Sequence, residues 1–318
     1  MIPDDVHPQI RAYLREMAEA GLPAIQDLTP EAARAQFEAG TKARLEVFPA
    51  PPVAAVLDRT IFGPAGPMPV RIYRDSDEPA SRPALVWYHG GGHVIGSLDT
   101  HDATCRNLCR EARCAVVSVD YRMGPEHPFP AAVDDCFAAV RWLAEHGPEI
   151  GVDPERLAVG GDSAGGNLAA VTALLARDAG GPALRHQLLV YPVTDYRCES
   201  ASYERYARGY GVLEAASMRW FQRHYLGGPD AAADWRASPL LAADHSALPP
   251  ALVITAECDV LRDEGVAYAE RLAASGTPCE HVPFAGMIHG FFGLLGIAGA
   301  ADEAHARAAR ALRDALGA

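Results

Sequence analysis

The chain has 318 residues, 49% of them hydrophobic and 22% charged, an ordinary globular composition that can bury a sizeable core without a disulfide or metal staple. Its net charge of -13 is spread along the sequence and repels phosphate backbones and anionic lipid, which argues against nucleic acid and membrane surfaces as partners. Seven cysteines without a repeating framework point to free thiols in a reducing compartment, with the cytoplasm as the expected location. The opening MIPDDV carries two acids and no apolar run, so no signal peptide is expected. No stretch approaches the roughly 18 uninterrupted apolar residues of a membrane span.

In chain order, the first forty residues read as helical. Ile10, Leu14 and Met17 recur at helical spacing, and Ala32, Ala35 and Phe37 follow the cap-like Thr29-Pro30. A Pro-rich break at 48–52 ends this region. Two strand-like segments at 53–60 and 68–74, joined by a Gly/Pro turn, predict a hairpin. Apolar runs at 84–88, 115–119, 157–159, 188–191 and 251–254, and a last one near 280–282, then alternate with helical patterns near 100–112, 131–146, 164–178, 261–275 and 301–317. This alternation predicts an α/β fold with a mostly parallel sheet of about eight strands, covered on both faces. The segment 195–228 interrupts it and turns helical toward its end, where Met218, Phe221 and Tyr225 share a face. We therefore expect residues 1–50 and 196–230 to form a helical cap over a catalytic domain of 51–195 and 231–318.

Three motifs carry chemistry. Gly161-Asp162-Ser163-Ala164-Gly165 is a G-x-S-x-G sequence between a strand and an alanine-rich helix, the setting that a nucleophile elbow requires. Glycines on either side of Ser163 permit the sharp turn, and the helix N-terminus beyond it favours developing negative charge. His89-Gly90-Gly91-Gly92 directly follows a strand. Its bare backbone can bring the N–H groups of Gly91 and Gly92 to a substrate oxygen, with that of Ala164 as third donor. His89 reads as a loop-fixing group.

The acid and base should follow Ser163 in that order. Asp259 comes just after a late strand, where site residues belong. Its rivals are Glu257 and Asp263, the latter expected in the first turn of the next helix. His289 follows the last strand by a short loop, whereas His281 falls inside that strand and His305 on the terminal helix.

Together these blocks resemble the hormone-sensitive-lipase-like esterases, the bacterial group with a GDSAG elbow. Residues 121–130 (YRMGPEHPFP) are similar to that family's YRLAPEHPFP segment, and 259–264 (DVLRDE) to its DPLRDE block. The resemblance runs from about residue 83 to 292. It implies an α/β-hydrolase fold and a carboxylic ester hydrolase that needs no cofactor. Ser163 would be the nucleophile, His289 the base, Asp259 its orienter, and the N–H groups of Gly91, Gly92 and Ala164 the oxyanion hole. Two departures stand out: His93 occupies a position that is usually aromatic or large and apolar in the family, and Val260 stands where the family has proline.

An amidase or deacylase would use the same residues. A non-catalytic receptor on this fold is disfavoured because all three triad members stand. A metal site from His101, Cys105, Cys109 and Cys114 gives way to small core fillers on one helix face, so no metal is expected. His93, Asp162, Tyr210, Met218 and Phe221 are the expected substrate contacts. The expected partner is a small ester of short to medium acyl length, because a cap closes a groove into a pocket of finite depth. The sequence leaves a homodimer open.

Overall fold

The computed structural model describes residues 2–76 and 81–318. Two helices open the chain, α1 (Pro8–Ala20) and α2 (Pro30–Val47). Each has proline in its first turn and a side-chain cap, from His7 and Thr29 respectively. There follow β1 (Ala55–Gly63), β2 (Gly66–Arg74), β3 (Arg82–Tyr88), α3 (Asp102–Ala112), β4 (Ala115–Val119), α4 (Ala131–His146), β5 (Val152–Asp162), α5 (Ala164–Asp178) and β6 (Leu184–Val190). The remainder comprises α6 (Ala201–Arg205), α7 (Ala215–Tyr225), β7 (Ala251–Cys258), α8 (Arg262–Ala274), β8 (Cys279–Ile288) and α9 (Gly299–Leu316).

The eight strands form one sheet in the order β1-β2-β4-β3-β5-β6-β7-β8. β1 and β2 form the expected antiparallel hairpin, β2 meets β4 antiparallel, and all later pairings are parallel. Burial follows from that arrangement. All five residues of β4 are buried, while β1 at the edge buries only Ile61 and exposes Phe62. α5 is buried over most of its length because it lies against the strand it follows, and its alanines and glycines permit the close approach.

The helical segments at the two ends of the expected cap touch each other. The Trp220 indole N–H of α7 donates to Leu28 O at 3.1 Å. The Tyr210 hydroxyl reaches Asp5 at 3.2 Å, and the Leu14 side chain lies against Gly211. Among the described residues no helix is long and apolar enough to cross a membrane.

Candidate active site

Six strands, from β4 to β8 in the sheet order, run parallel, and the residues that follow the carboxyl ends of four of them meet. The 89–92 loop leaves β3, Ser163 leaves β5, Asp259 leaves β7 and His289 comes directly after β8. β3 pairs with β5 up to Tyr88 and Gly161, which sets the loop beside the elbow. Cys258 and Ile288 pair at the end of β7 and β8, so the next residue of each strand is brought together.

Ser163 sits at φ +57° and ψ -117°, left-handed backbone for a residue with a side chain. Such a conformation costs on the order of 1–3 kcal/mol and persists only where neighbours hold it. Here they do: its N–H donates to Val190 O at 2.8 Å, and its carbonyl accepts from Asn167 N at 3.0 Å and Val193 N at 3.2 Å. The flanking glycines are sterically required. A Cβ on Gly161 would stand 2.3 Å from Gly165 C, and one on Gly165 would stand 1.8 Å from Tyr88 O.

A chain of short hydrogen bonds runs from the elbow. His289 Nε2 is 2.8 Å from Ser163 Oγ, and His289 Nδ1 is 2.7 Å from Asp259 Oδ2. Asp259 is 1% exposed, and its other oxygen accepts the Leu261 N–H at 2.9 Å. The carboxylate is therefore fixed from two sides. With Nδ1 donating to Asp259, Nε2 is left with a lone pair toward Ser163 Oγ–H, the tautomer a general base needs. The rivals lie elsewhere. Glu257 accepts Gly286 N at 2.8 Å. Asp263 accepts Ser202 N at 2.8 Å and pairs with Arg262. His281 meets Thr255 at 2.9 Å, and His305 meets Phe292 O at 3.1 Å.

The glycine loop packs tightly against the elbow. Gly91 and Gly92 have φ +117° and +60°, and the Gly91 carbonyl accepts from Val94 N at 3.0 Å and Ile95 N at 2.9 Å. The N–H groups of Gly91, Gly92 and Ala164 donate to no protein acceptor among the described residues. They remain available to an oxygen placed over Ser163. His89 is a loop-fixing group: its ring stacks on Tyr121 at 4.4 Å, and the Tyr121 hydroxyl donates to His89 O at 2.6 Å. Burial pushes the His89 imidazole down to about 3, which leaves it neutral. Asp162 accepts Gly90 N at 3.0 Å and lies 3.3 Å from His101 Nε2. Burial would raise its carboxyl, but His101 and the Gly90 N–H hold it below its ordinary value. Asp162 is thus engaged with the loop backbone.

The other expected contacts are distributed unequally. Phe221 covers Gly92, where a Cβ would lie 2.2 Å from its ring. His93 is fully buried at φ +59°, stacked on Tyr225 at 3.8 Å, and burial lowers its imidazole to about 3. Met218 is buried on the same helix as Phe221, and Tyr210 is tied to Asp5. Sequence reasoning missed Tyr191, whose ring lies 4.6 Å from His289. It follows β6 at φ +35°, and its only local signal was a place at the end of an apolar run. His101, Cys105, Cys109 and Cys114 form no metal-binding group, and none was found among the described residues.

A strained serine over a helix N-terminus, hydrogen-bonded to an imidazole that a buried carboxylate orients, is the arrangement of a serine hydrolase. The profile describing the alpha/beta hydrolase fold matches residues 85–293, and the chain belongs to that family, as a hormone-sensitive-lipase-like carboxylesterase. It is 48% identical over 260 residues to carboxylic ester hydrolase LipN of Mycobacterium tuberculosis, covering 80% of this chain and 69% of LipN. It is 40% identical over 319 residues to ethyl acetate hydrolase of Pseudomonas putida, covering 98% and 99%. The solved structure of an ester hydrolase from the metagenome of Lake Arreo, in complex with a derivative of bipyridine phosphonate, superimposes with a TM-score of 0.94 at 42% identity, over 98% of this chain and all of that one.

Proposed function

We propose that Ser163, His289 and Asp259 hydrolyse small carboxylic esters of short to medium acyl length through an acyl-enzyme. The observation that carries this reading is the unbroken path from Ser163 Oγ through His289 to Asp259, at 2.8 and 2.7 Å. Ser163 Oγ attacks the acyl carbon while its proton passes to His289 Nε2. The resulting oxyanion is held by the N–H groups of Gly91, Gly92 and Ala164. On collapse, His289 returns the proton to the departing alkoxide. Water then repeats the sequence on the acyl-enzyme and releases the acid. Asp259 stabilises the imidazolium throughout. One oxyanion donor is worth roughly 2.7–4 kcal/mol in other hydrolases.

The preference for shorter acyl chains is supported by the helices over the loop. We take residues 1–50 and 196–230 as a cap over a catalytic domain of 51–195 and 231–318, with Phe221 as the wall nearest Gly92. His93 stacks on Tyr225 and Met218 is buried on the same helix as Phe221, Tyr210 braces the cap on Asp5, and Asp162 serves the site by holding Gly90. The ethyl acetate hydrolase relative is named for a two-carbon acyl ester. Each buried methylene adds about 0.8 kcal/mol until the pocket is full, after which overpacking costs about 1–3 kcal/mol. Seven free thiols suit a reducing compartment, and we place the enzyme in the cytoplasm.

The test is kcat/KM for p-nitrophenyl esters from acetate to palmitate, on the native enzyme and on Ser163→Ala. We expect a maximum at about four to eight carbons and no turnover by the variant. Highest activity on palmitate would overturn the capped pocket, and turnover by Ser163→Ala would overturn the nucleophile.

A further inference from the structure

The oxyanion loop is held by a residue from the far end of the chain. Arg34 lies in the first turns of α2, and its guanidinium makes four hydrogen bonds. Nε donates to Val94 O at 2.8 Å and Nη2 to Gly124 O at 2.8 Å. Nη1 and Nη2 each donate to one oxygen of Glu126 at 2.7 Å. The Glu126 carboxyl is held down at about 2, chiefly by this contact, so it stays charged at any working pH. A paired fork of this kind fixes the plane of the guanidinium as well as its position.

The two carbonyls on Arg34 bracket the strained part of the loop. Gly92 and His93 are consecutive left-handed residues, at φ +60° and +59°. His93 has a side chain, so its conformation must be imposed by its surroundings. The His93 carbonyl accepts Gly124 N at 2.9 Å, and the very next carbonyl, Val94 O, accepts Arg34. Val94 N in turn closes the turn on Gly91 O. The peptide that Arg34 grips is thus part of the turn that aims the Gly91 and Gly92 N–H groups.

We propose that Arg34 is a positioning residue for the oxyanion hole, clamping Val94 to the 124–126 segment with Glu126 orienting the clamp. This rests on the reading that the Gly91 and Gly92 N–H groups hold the oxyanion. Through Arg34, docking of α2 onto the body becomes a condition for a correctly aimed hole, and the cap takes part in the chemical step as well as in substrate fit.

The experiment compares native enzyme with Arg34→Lys and Glu126→Gln. It measures steady-state kinetics on a short p-nitrophenyl ester, inhibition by an aryl trifluoromethyl ketone, and thermal melting. The ketone forms a tetrahedral adduct on Ser163 whose oxyanion needs the hole. A butyrate product analogue, which forms no adduct, serves as reference. Lysine keeps the charge but cannot span Val94 O, Gly124 O and a bidentate carboxylate. A displacement of the order of 1 Å in a catalytic group can cost about 100-fold. We expect kcat in Arg34→Lys to fall about 10- to 100-fold, with KM and butyrate binding within about threefold of native. Ketone affinity should fall in parallel with kcat/KM. Glu126→Gln leaves the two carbonyl contacts in place and should show the same pattern to a smaller degree. A higher KM with unchanged kcat, or a lower melting temperature with native ketone affinity, would overturn the proposal. If Arg34→Lys fails to fold, native ketone affinity in Glu126→Gln would overturn it equally. Weak ketone binding by the native enzyme would remove the oxyanion-hole reading and this proposal together, whereas tight native binding that survives Arg34→Lys removes this proposal alone.

Discussion

Asp259 and Asp263 are four positions apart and face different duties. Asp259 is buried between the Leu261 N–H and His289 Nδ1. Asp263 caps the start of α6 through Ser202 N and pairs with Arg262, with 28% of its side chain exposed. The Asp259→Asn amide can present its NH2 group to His289 Nδ1, which drives the ring proton to Nε2 and removes the lone pair facing Ser163. Loss of about 10⁴-fold in kcat is the scale of that defect in a triad. Asp263→Asn should retain activity within a few-fold and lose roughly 1 kcal/mol of stability, the worth of a charged cap. Steady-state kinetics and urea unfolding of both variants test the assignment, and an inactive but folded Asp263→Asn would reverse it. The motif order put Asp259 first in the sequence. The bond from Asp263 to Ser202 was not readable there, because it joins segments 61 residues apart.

The elbow between β5 and α5 shows the same limit at the scale of elements. Helices at 131–146 and 164–178 were legible to the residue, because apolar periodicity and flanking Gly and Pro punctuate them. β5 begins at Val152, earlier than the apolar run at 157–159. The charged and proline-containing Asp153-Pro154-Glu155-Arg156 hides a stretch anchored by pairing of Val152 with Arg82. β8 extends to Ile288 through Pro283 and Gly286, which read as breakers but lie on an edge strand that tolerates them. The Arg34 clamp had no local signature at all, since its partners lie 60 to 92 residues away. Glycine, by contrast, was read correctly at the elbow, and its energetics can be separated by site. Gly165→Ala places a methyl 1.8 Å from Tyr88 O, backbone against backbone with no flexible neighbour to yield. We expect a loss above about 4 kcal/mol, the range reserved for such clashes. Gly40 lies inside α2 with nothing within 4 Å of its Cβ position. Gly40→Ala should stabilise by about 0.5–1 kcal/mol. Chemical denaturation of the two variants decides the matter, and a mild effect at Gly165 would mean that the elbow is looser than its geometry indicates.

Across the whole molecule, burial of neutral histidines sets the acid limit of the fold. His89, His93 and His305 are pushed down to about 3 and His186 to about 4, with desolvation the leading cause in each. The unfolded chain takes up these protons near the ordinary value of about 6.5. Between those values and 6.5 the unfolded state therefore binds more protons, and stability rises with pH; it is fully present above about 6.5 and is lost as pH falls below it. Glu264 acts in the opposite sense. Its buried carboxyl is raised well above the usual range despite accepting Thr194 N and Asp195 N, so it holds a proton that the unfolded chain has lost. Four histidines outweigh one carboxyl between pH 5 and 6.5, so the net slope stays positive. At pH 5 each such histidine costs on the order of 2 kcal/mol, and together they rival the whole stability of a typical domain, about 5–15 kcal/mol. His93 tests this most directly, because neither ring nitrogen has a hydrogen-bond partner among the described residues and the ring stacks on Tyr225. His93→Phe keeps an aromatic ring there and removes one titrating group. Relative to the native enzyme it should gain about 2 kcal/mol more at pH 5 than at pH 8, read by urea unfolding at the two values. An equal difference at both would show that His93 binds its proton as readily in the folded enzyme as in the unfolded chain. The same variant shows whether activity lost in acid comes from failure of the fold: in that case activity and unfolding midpoint fall together in the native enzyme and both are partly repaired in His93→Phe.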